Sequence, residues 1–110
     1  MKPNEYQEID HGILDLFNEI QKKPWAFLDG EKSITRLRSF LVGYECGLAK
    51  LGFRMSGYEK LDAFQTWIGQ RLSPGEPVHS WWVAVRAKTG NEEEAYNLIF
   101  ELLADFSLEN

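Results

Sequence analysis

Between a turn signal at Asp29-Gly30 and a glycine at Gly52, the residues Ile34, Leu37, Leu41, Tyr44 and Leu48 recur at a heptad-like spacing. This run constrains the fold more than any other feature, because the spacing lays its apolar side chains along one stripe of a helix. A helix over residues 34–51 is predicted, with Phe40 and Leu51 widening the stripe. Ser33 is the expected N-cap, and Gly52 the expected residue just beyond the C-terminus. Beside the stripe run Ser39, Gly43 and Gly47, each four residues apart. A glycine inside a helix costs about 1 kcal/mol relative to alanine. The natural compensation is a second backbone packed closely along that seam. Apolar stripe and small-residue seam together predict the central helix of the domain.

The flanking sequence supplies further helices. Residues 4–22 place Ile9, Ile13, Leu16, Phe17 and Ile20 at three- and four-residue intervals. Glu5 and Glu8 near the start and Lys22 and Lys23 near the end suit the helix dipole. Pro24 ends this first helix, since it cannot donate and disfavours helical geometry at Lys23. Trp25 or Phe27 is expected to tuck under the helix ends as an aromatic plug. Ser56-Gly-Tyr-Glu59 has capping-box spacing and opens a third helix carrying Leu61, Phe64, Trp67, Ile68 and Leu72. Ser73-Pro-Gly-Glu-Pro77 is a loop. Residues 78–88 suit either a strand or a helix. Trp81, Trp82, Val83 and Val85 favour the strand, but a lone strand leaves its backbone groups unpaired, so a helix capped by His79 or Ser80 is expected. Asn91 caps the last helix, Glu92, Glu93 and Glu94 fill its first turn, and Ala95, Leu98, Ile99, Leu102, Leu103 and Phe106 form its apolar face. The expected architecture is all-α: one domain over residues 1–110, of about five helices around the central one.

Composition narrows the function. The chain has 110 residues, enough to bury a core without metal or disulfide support. Its single cysteine, Cys46, cannot form an internal disulfide, fits a reducing compartment, and reads as a small core residue. The N-terminal residues carry no apolar run of signal-peptide type, and no stretch reaches the length of a membrane span, so a cytoplasmic location is expected. A net charge of −5 disfavours a nucleic-acid binder and suits either a protein that meets basic partners or simple solubility.

The residues suited to chemistry are sparse. One cysteine and two histidines, His11 and His79, lie too far apart in sequence for a structural zinc site, and no metal or cofactor is expected. Pairings such as Cys46 with His79 arise in any chain of this size and carry no signal. Gly43 and Gly47 lie inside a helical pattern, unlike the glycines of a phosphate-binding loop. The cluster Glu92–Glu94 is explained by a helix first turn, with an acidic lip facing a basic partner as the alternative. The four tryptophans, Trp25, Trp67, Trp81 and Trp82, are read mostly as core. Arg36, Arg38 and Lys50 read as solvated helix edges.

From Lys23 onwards the chain resembles a family of small bacterial helical proteins. The resemblance rests on Lys23-Pro-Trp-Ala-Phe-Leu-Asp-Gly30, then Leu37 and Phe40-Leu-Val-Gly-Tyr44, Phe64-Gln-Thr-Trp67, Ser80-Trp81, and the acidic helix from Glu92 to Phe106. The chain departs from the pattern at the turn, where an extra Asp29 precedes Gly30. The motifs are packing residues, so they speak for fold more than for activity. Such proteins look like the immunity partners of polymorphic or contact-dependent toxins. The resemblance implies a small cytoplasmic, non-enzymatic protein that binds one toxin domain and blocks it. Many such toxins are basic nucleases, whose substrate groove an acidic inhibitor can occupy. On this view Asp29, Glu31, Glu92, Glu93 and Glu94 are the expected partner-binding residues. Two other classes stay open: a helical adaptor or regulatory module acting through self-association, and an enzyme built around Glu92–Glu94.

Overall fold

A computed structural model describes residues 6–77 and 79–109. Among these residues the element order is β1 (Gln7–Gly12), α1 (Ile13–Lys22), α2 (Pro24–Phe27), α3 (Ile34–Lys50), β2 (Phe53–Ser56), α4 (Tyr58–Leu72), α5 (Trp81–Ala87) and α6 (Glu92–Glu109). The fold is mostly helical, but the all-α expectation is corrected by a two-stranded parallel sheet, β1 beside β2.

The first expected helix is half strand. Residues 7–12 pair with β2 in the register Gln7–Phe53, Glu8–Arg54 and Gly12–Ser56, with an irregularity between Glu8 and Gly12. Helix begins only at Ile13, and Asn4 and Glu5 lie outside the described residues. Alternating exposure gives the reason: Glu8 and Asp10 face water, while Ile9 and His11 are half-buried. A parallel pair needs a long crossover, which α1, α2 and α3 provide. His11 therefore sits at the end of a strand, 3.8 Å from the Glu19 carboxylate and against the Tyr44 ring.

Pro24 does end α1, and it then serves as the first residue of the short helix α2, where its missing N–H is no loss. The turn after α2 takes positive φ at Asp29 (54°) and Gly30 (75°). Of the two plug candidates it is Phe27, not Trp25, that packs against the core. Trp25 is 68% exposed, and Leu28 fills the core position instead, with Phe27 edge-on to Phe40. The capping box at Ser56 also fails. Ser56 closes β2, and α4 is entered through Gly57 at φ 79°, without a side-chain cap.

Of residues 78–88, Trp81 to Ala87 are helical, while Val78 lies outside the described residues. Neither His79 nor the Ser80 side chain caps this helix; the Gln65 carboxamide accepts from the Trp81 N–H at 3.0 Å. Asn91 does cap α6, accepting from the Glu94 N–H at 2.9 Å.

The core is one cluster, drawn from α1 (Ile13, Leu16, Phe17, Ile20), α3 (Ile34, Leu37, Leu41), α4 (Phe64, Ile68), α5 (Trp81, Ala84, Val85) and the length of α6. The deepest helix is α6, with seven buried residues against three for α3. The expected small-residue seam of α3 is not a packing surface. Ser39, Gly43 and Gly47 are exposed, and a Cβ added at either glycine would meet nothing within 4 Å. Cys46 and Leu51, expected in the core, are exposed too. Thus α3 is an outer helix, with one face inward and an outward face in which the uncharged strip Ser39, Val42, Gly43, Cys46 and Gly47 lies between Arg36 and Arg38 at one end and Lys50 at the other.

Candidate protein-binding surface

Three groups of residues bear on what the surface can do. The first is the acidic set expected from the sequence. Glu92 lies on the inner side of α6, seven residues ahead of the buried Ile99. Its Oε1 accepts from the Ser33 hydroxyl at 2.8 Å and from the Thr35 N–H at 2.9 Å, and its Oε2 from Arg86 Nε at 3.1 Å. These donors, led by the Thr35 backbone, hold the carboxyl down to about 2. Glu92 is thus a clamp joining the N-termini of α3 and α6 to α5.

Glu94 is also spent internally. It accepts from the Gly90 N–H at 2.7 Å and completes a reciprocal cap with Asn91. Glu31 reaches Arg36 at 3.3 Å, one turn into α3, so the clamp brings Glu31 and Glu92 to the same end of that helix. Asp29 and Glu93 are exposed and make no ion pair among the described residues.

Glu93 belongs to a second group that the sequence reading missed. On α6 the exposed residues Glu93, Glu94, Asn97, Glu101, Ala104, Asp105 and Leu108 fall on one side, opposite the buried stripe. The helix holds six acidic residues and no basic one. Glu92 and Glu94 are engaged as above, and Glu109 accepts from Trp67 Nε1 at 2.8 Å and pairs with Arg71. Glu93, Glu101 and Asp105 remain without partners among the described residues. Asp105 opposes the dipole near the C-terminal end and repels Glu101 four residues away. The signal was legible: a sequence run with six acids and no counter-charge.

The third group lies on the outer side of α3 and α5. The Arg38 guanidinium stands 4.6 Å over the Trp82 ring, beside the exposed Val42 and Val83. A groove of about 390 Å³ runs between the two helices, lined by Ile34, Thr35, Arg38, Trp82, Val83, Arg86 and Ala87. Farther along α3, Glu45 accepts from the Tyr58 hydroxyl at 2.9 Å, and Arg54 lies 5.2 Å over the Tyr58 ring. Burial, with help from the Glu45 hydrogen bond and charge, raises Tyr58 above the usual tyrosine range. Arg38 was expected to be a solvated helix edge. Its stacking partner is 44 positions away, which no local pattern reveals.

Aromatic rings with arginines over them, as at Trp82 and Tyr58, are side chains enriched at protein-recognition surfaces. Among the described residues no group of His, Cys, Asp and Glu is arranged to hold a metal, and no helix is long and apolar enough to cross a membrane. Compared with family models, with curated proteins and with solved structures, the chain matches none of them.

Proposed function

We propose that this protein is an immunity-type inhibitor: it binds a basic toxin domain, a nuclease by preference, and blocks its active site or substrate groove without turnover of its own. The observation that carries the reading is the solvent face of α6, where Glu93, Glu101 and Asp105 carry uncompensated charge. Such a one-signed helix face destabilises the free protein slightly and steers a cationic partner onto it. The residues behind the family resemblance fit this division of labour. Phe64, Trp81 and Phe106 are core, Gln65 supports α5, and Glu92 clamps three helices. The recurrent motif supports a scaffold, which leaves the surfaces free to differ between partners. Of the acidic residues expected from sequence, Asp29 and Glu93 are available to a partner; Glu92 and Glu94 act within the fold.

The test is co-expression with the toxin domain encoded beside this gene. The expected result is protection of the host and a tight one-to-one complex weakened by raised salt. Failure of both protection and complex formation overturns the reading.

A second reading, a cytoplasmic adaptor acting through self-association, is favoured by the bare outer face of α3 and by Trp25 at 68% exposure. Sedimentation that gives a stable dimer would select it.

A further inference from the structure

The groove between α3 and α5 differs in character from the acidic face of α6. Its walls are Ile34, Trp82, Val83 and Ala87, and Val83 is 46% exposed. Among the described residues the charged groups lining it are Arg38 and Arg86, with the Glu92 carboxylate beside them on Thr35 and Arg86. Arg86 is occupied: it donates to Glu92 Oε2 and to the Thr89 carbonyl at 3.0 Å. Arg38 is not. Arg36, Arg71 and Arg86 each hold a carboxylate, whereas Arg38 holds none among the described residues and stands over the Trp82 ring. Stacking restricts the guanidinium while leaving its edge donors free, so little freedom is lost when it meets a planar anion. In a chain of net charge −5, the groove is therefore a local positive site with apolar walls.

We propose that this groove seats an apolar side chain of the protein partner, with a neighbouring carboxylate of that partner paired to Arg38. The proposal rests on the binding reading above and specifies one contact of the interface. Arg86 cannot serve in place of Arg38 without releasing Glu92. A carboxylate on an otherwise basic partner sets the register of the complex, because a lysine at that point would face an unpaired arginine. A second copy of this chain is the competing occupant, since its α6 carries Asp105 near Leu108, which is 87% exposed.

The experiment pans a phage-displayed dodecapeptide library on the immobilised full-length chain and then measures one enriched synthetic peptide in solution. The enriched peptides are expected to carry Asp or Glu within a turn of Leu, Ile, Phe or Trp. Arg38→Gln should weaken binding by about tenfold or more, and Val83→Glu should abolish it. Arg38→Lys should retain part of it, and Asp62→Asn, at an exposed position of α4, should leave it unchanged. Circular dichroism of each variant confirms that the fold is kept. Peptides with no acidic preference, or binding that Arg38→Gln leaves unchanged, overturn the proposal. So does a concentration-dependent dimer that Val83→Glu dissociates, which would assign the groove to a second copy. If the groove fails these tests while the chain still inhibits the neighbouring toxin domain, the groove proposal alone falls. Peptide binding without inhibition upholds the groove and removes the toxin as its partner.

Discussion

The Ser33 hydroxyl donates to Glu92 Oε1 at 2.8 Å and, through the same oxygen, accepts from the Arg36 N–H at 3.2 Å, so one side chain caps α3 and ties it to a residue 59 positions away. The Glu92 carboxylate thereby sits at two helix N-termini at once, its own and that of α3, each of which favours negative charge. Arg86 completes the contact from the last turn of α5.

Replacing this carboxylate should destabilise the fold in a pH-dependent way. Glu92→Gln is expected to cost about 1–2 kcal/mol at neutral pH, the lower part of the range for charge-assisted hydrogen bonds on a side chain open to screening. The carboxyl is held at about 2 in the folded state, below its ordinary value of 4.5. Its contribution is therefore complete above about 4.5 and fades as pH falls towards 2. Urea unfolding at pH 7 and at pH 2.5 should show the gap between parent and variant narrowing in acid. A gap that is the same at both pH values would mean that ionised Glu92 is not the clamp.

Gly43 and Gly47 offer the reverse sign. Both lie in mid-helix, with open space where a Cβ would go. Gly43→Ala and Gly47→Ala should each stabilise the protein by about 0.5–1 kcal/mol through helix propensity and a less flexible unfolded chain. Thermal unfolding of the single and double variants checks this, and a loss of stability would show that the outer face of α3 is covered after all.

Tyr96 is 3% exposed, and its hydroxyl finds no hydrogen-bond partner among the described residues. A buried hydroxyl left unpaired costs free energy that an isosteric ring avoids. Tyr96→Phe should be neutral or stabilising by up to about 1 kcal/mol. Burial also raises the ionisation of Tyr96, as it does that of Tyr58. Because both folded values are raised, the stability they confer is present below the ordinary value of 10 and is lost as pH climbs through the folded one. Absorbance at the tyrosinate band during alkaline titration should show these two rings ionising only with global unfolding, a step that Tyr96→Phe reduces by one phenol.

Cys46 lies on the exposed side of α3, next to Gly47. A thiol-specific reagent in excess should modify one thiol per chain in the native state, at the rate of an accessible cysteine and with no unfolding. Labelling limited by global opening would restore the buried position that the sequence suggests.

How far the sequence reaches is clearest in individual residues. The period of Phe64 and Ile68, the stop at Pro24, the caps at Ser33 and Asn91 and the glycine exit at Gly52 are local physics, written in neighbouring residues, and the structure reproduces each of them. The strand pair was hidden because Gln7 and Phe53 lie 46 positions apart, and six residues of alternating exposure also fit the start of a helix. The glycines of α3 misled for a related reason. A helical wheel shows which residues share a side but not whether anything lies against it.

The candidate surfaces divide along the same line. By itself the sequence determined the acidic bias of α6, since a helix with no basic residue keeps that charge in any packing. Only the tertiary structure decided that Glu92 turns inward to hold the fold, that Glu93, Glu101 and Asp105 stay outward, and that Arg38 comes to rest on Trp82. Charge is a property of composition. Whether a charge is spent inside the fold or left for a partner depends on which distant groups the packing brings within about 3 Å of it.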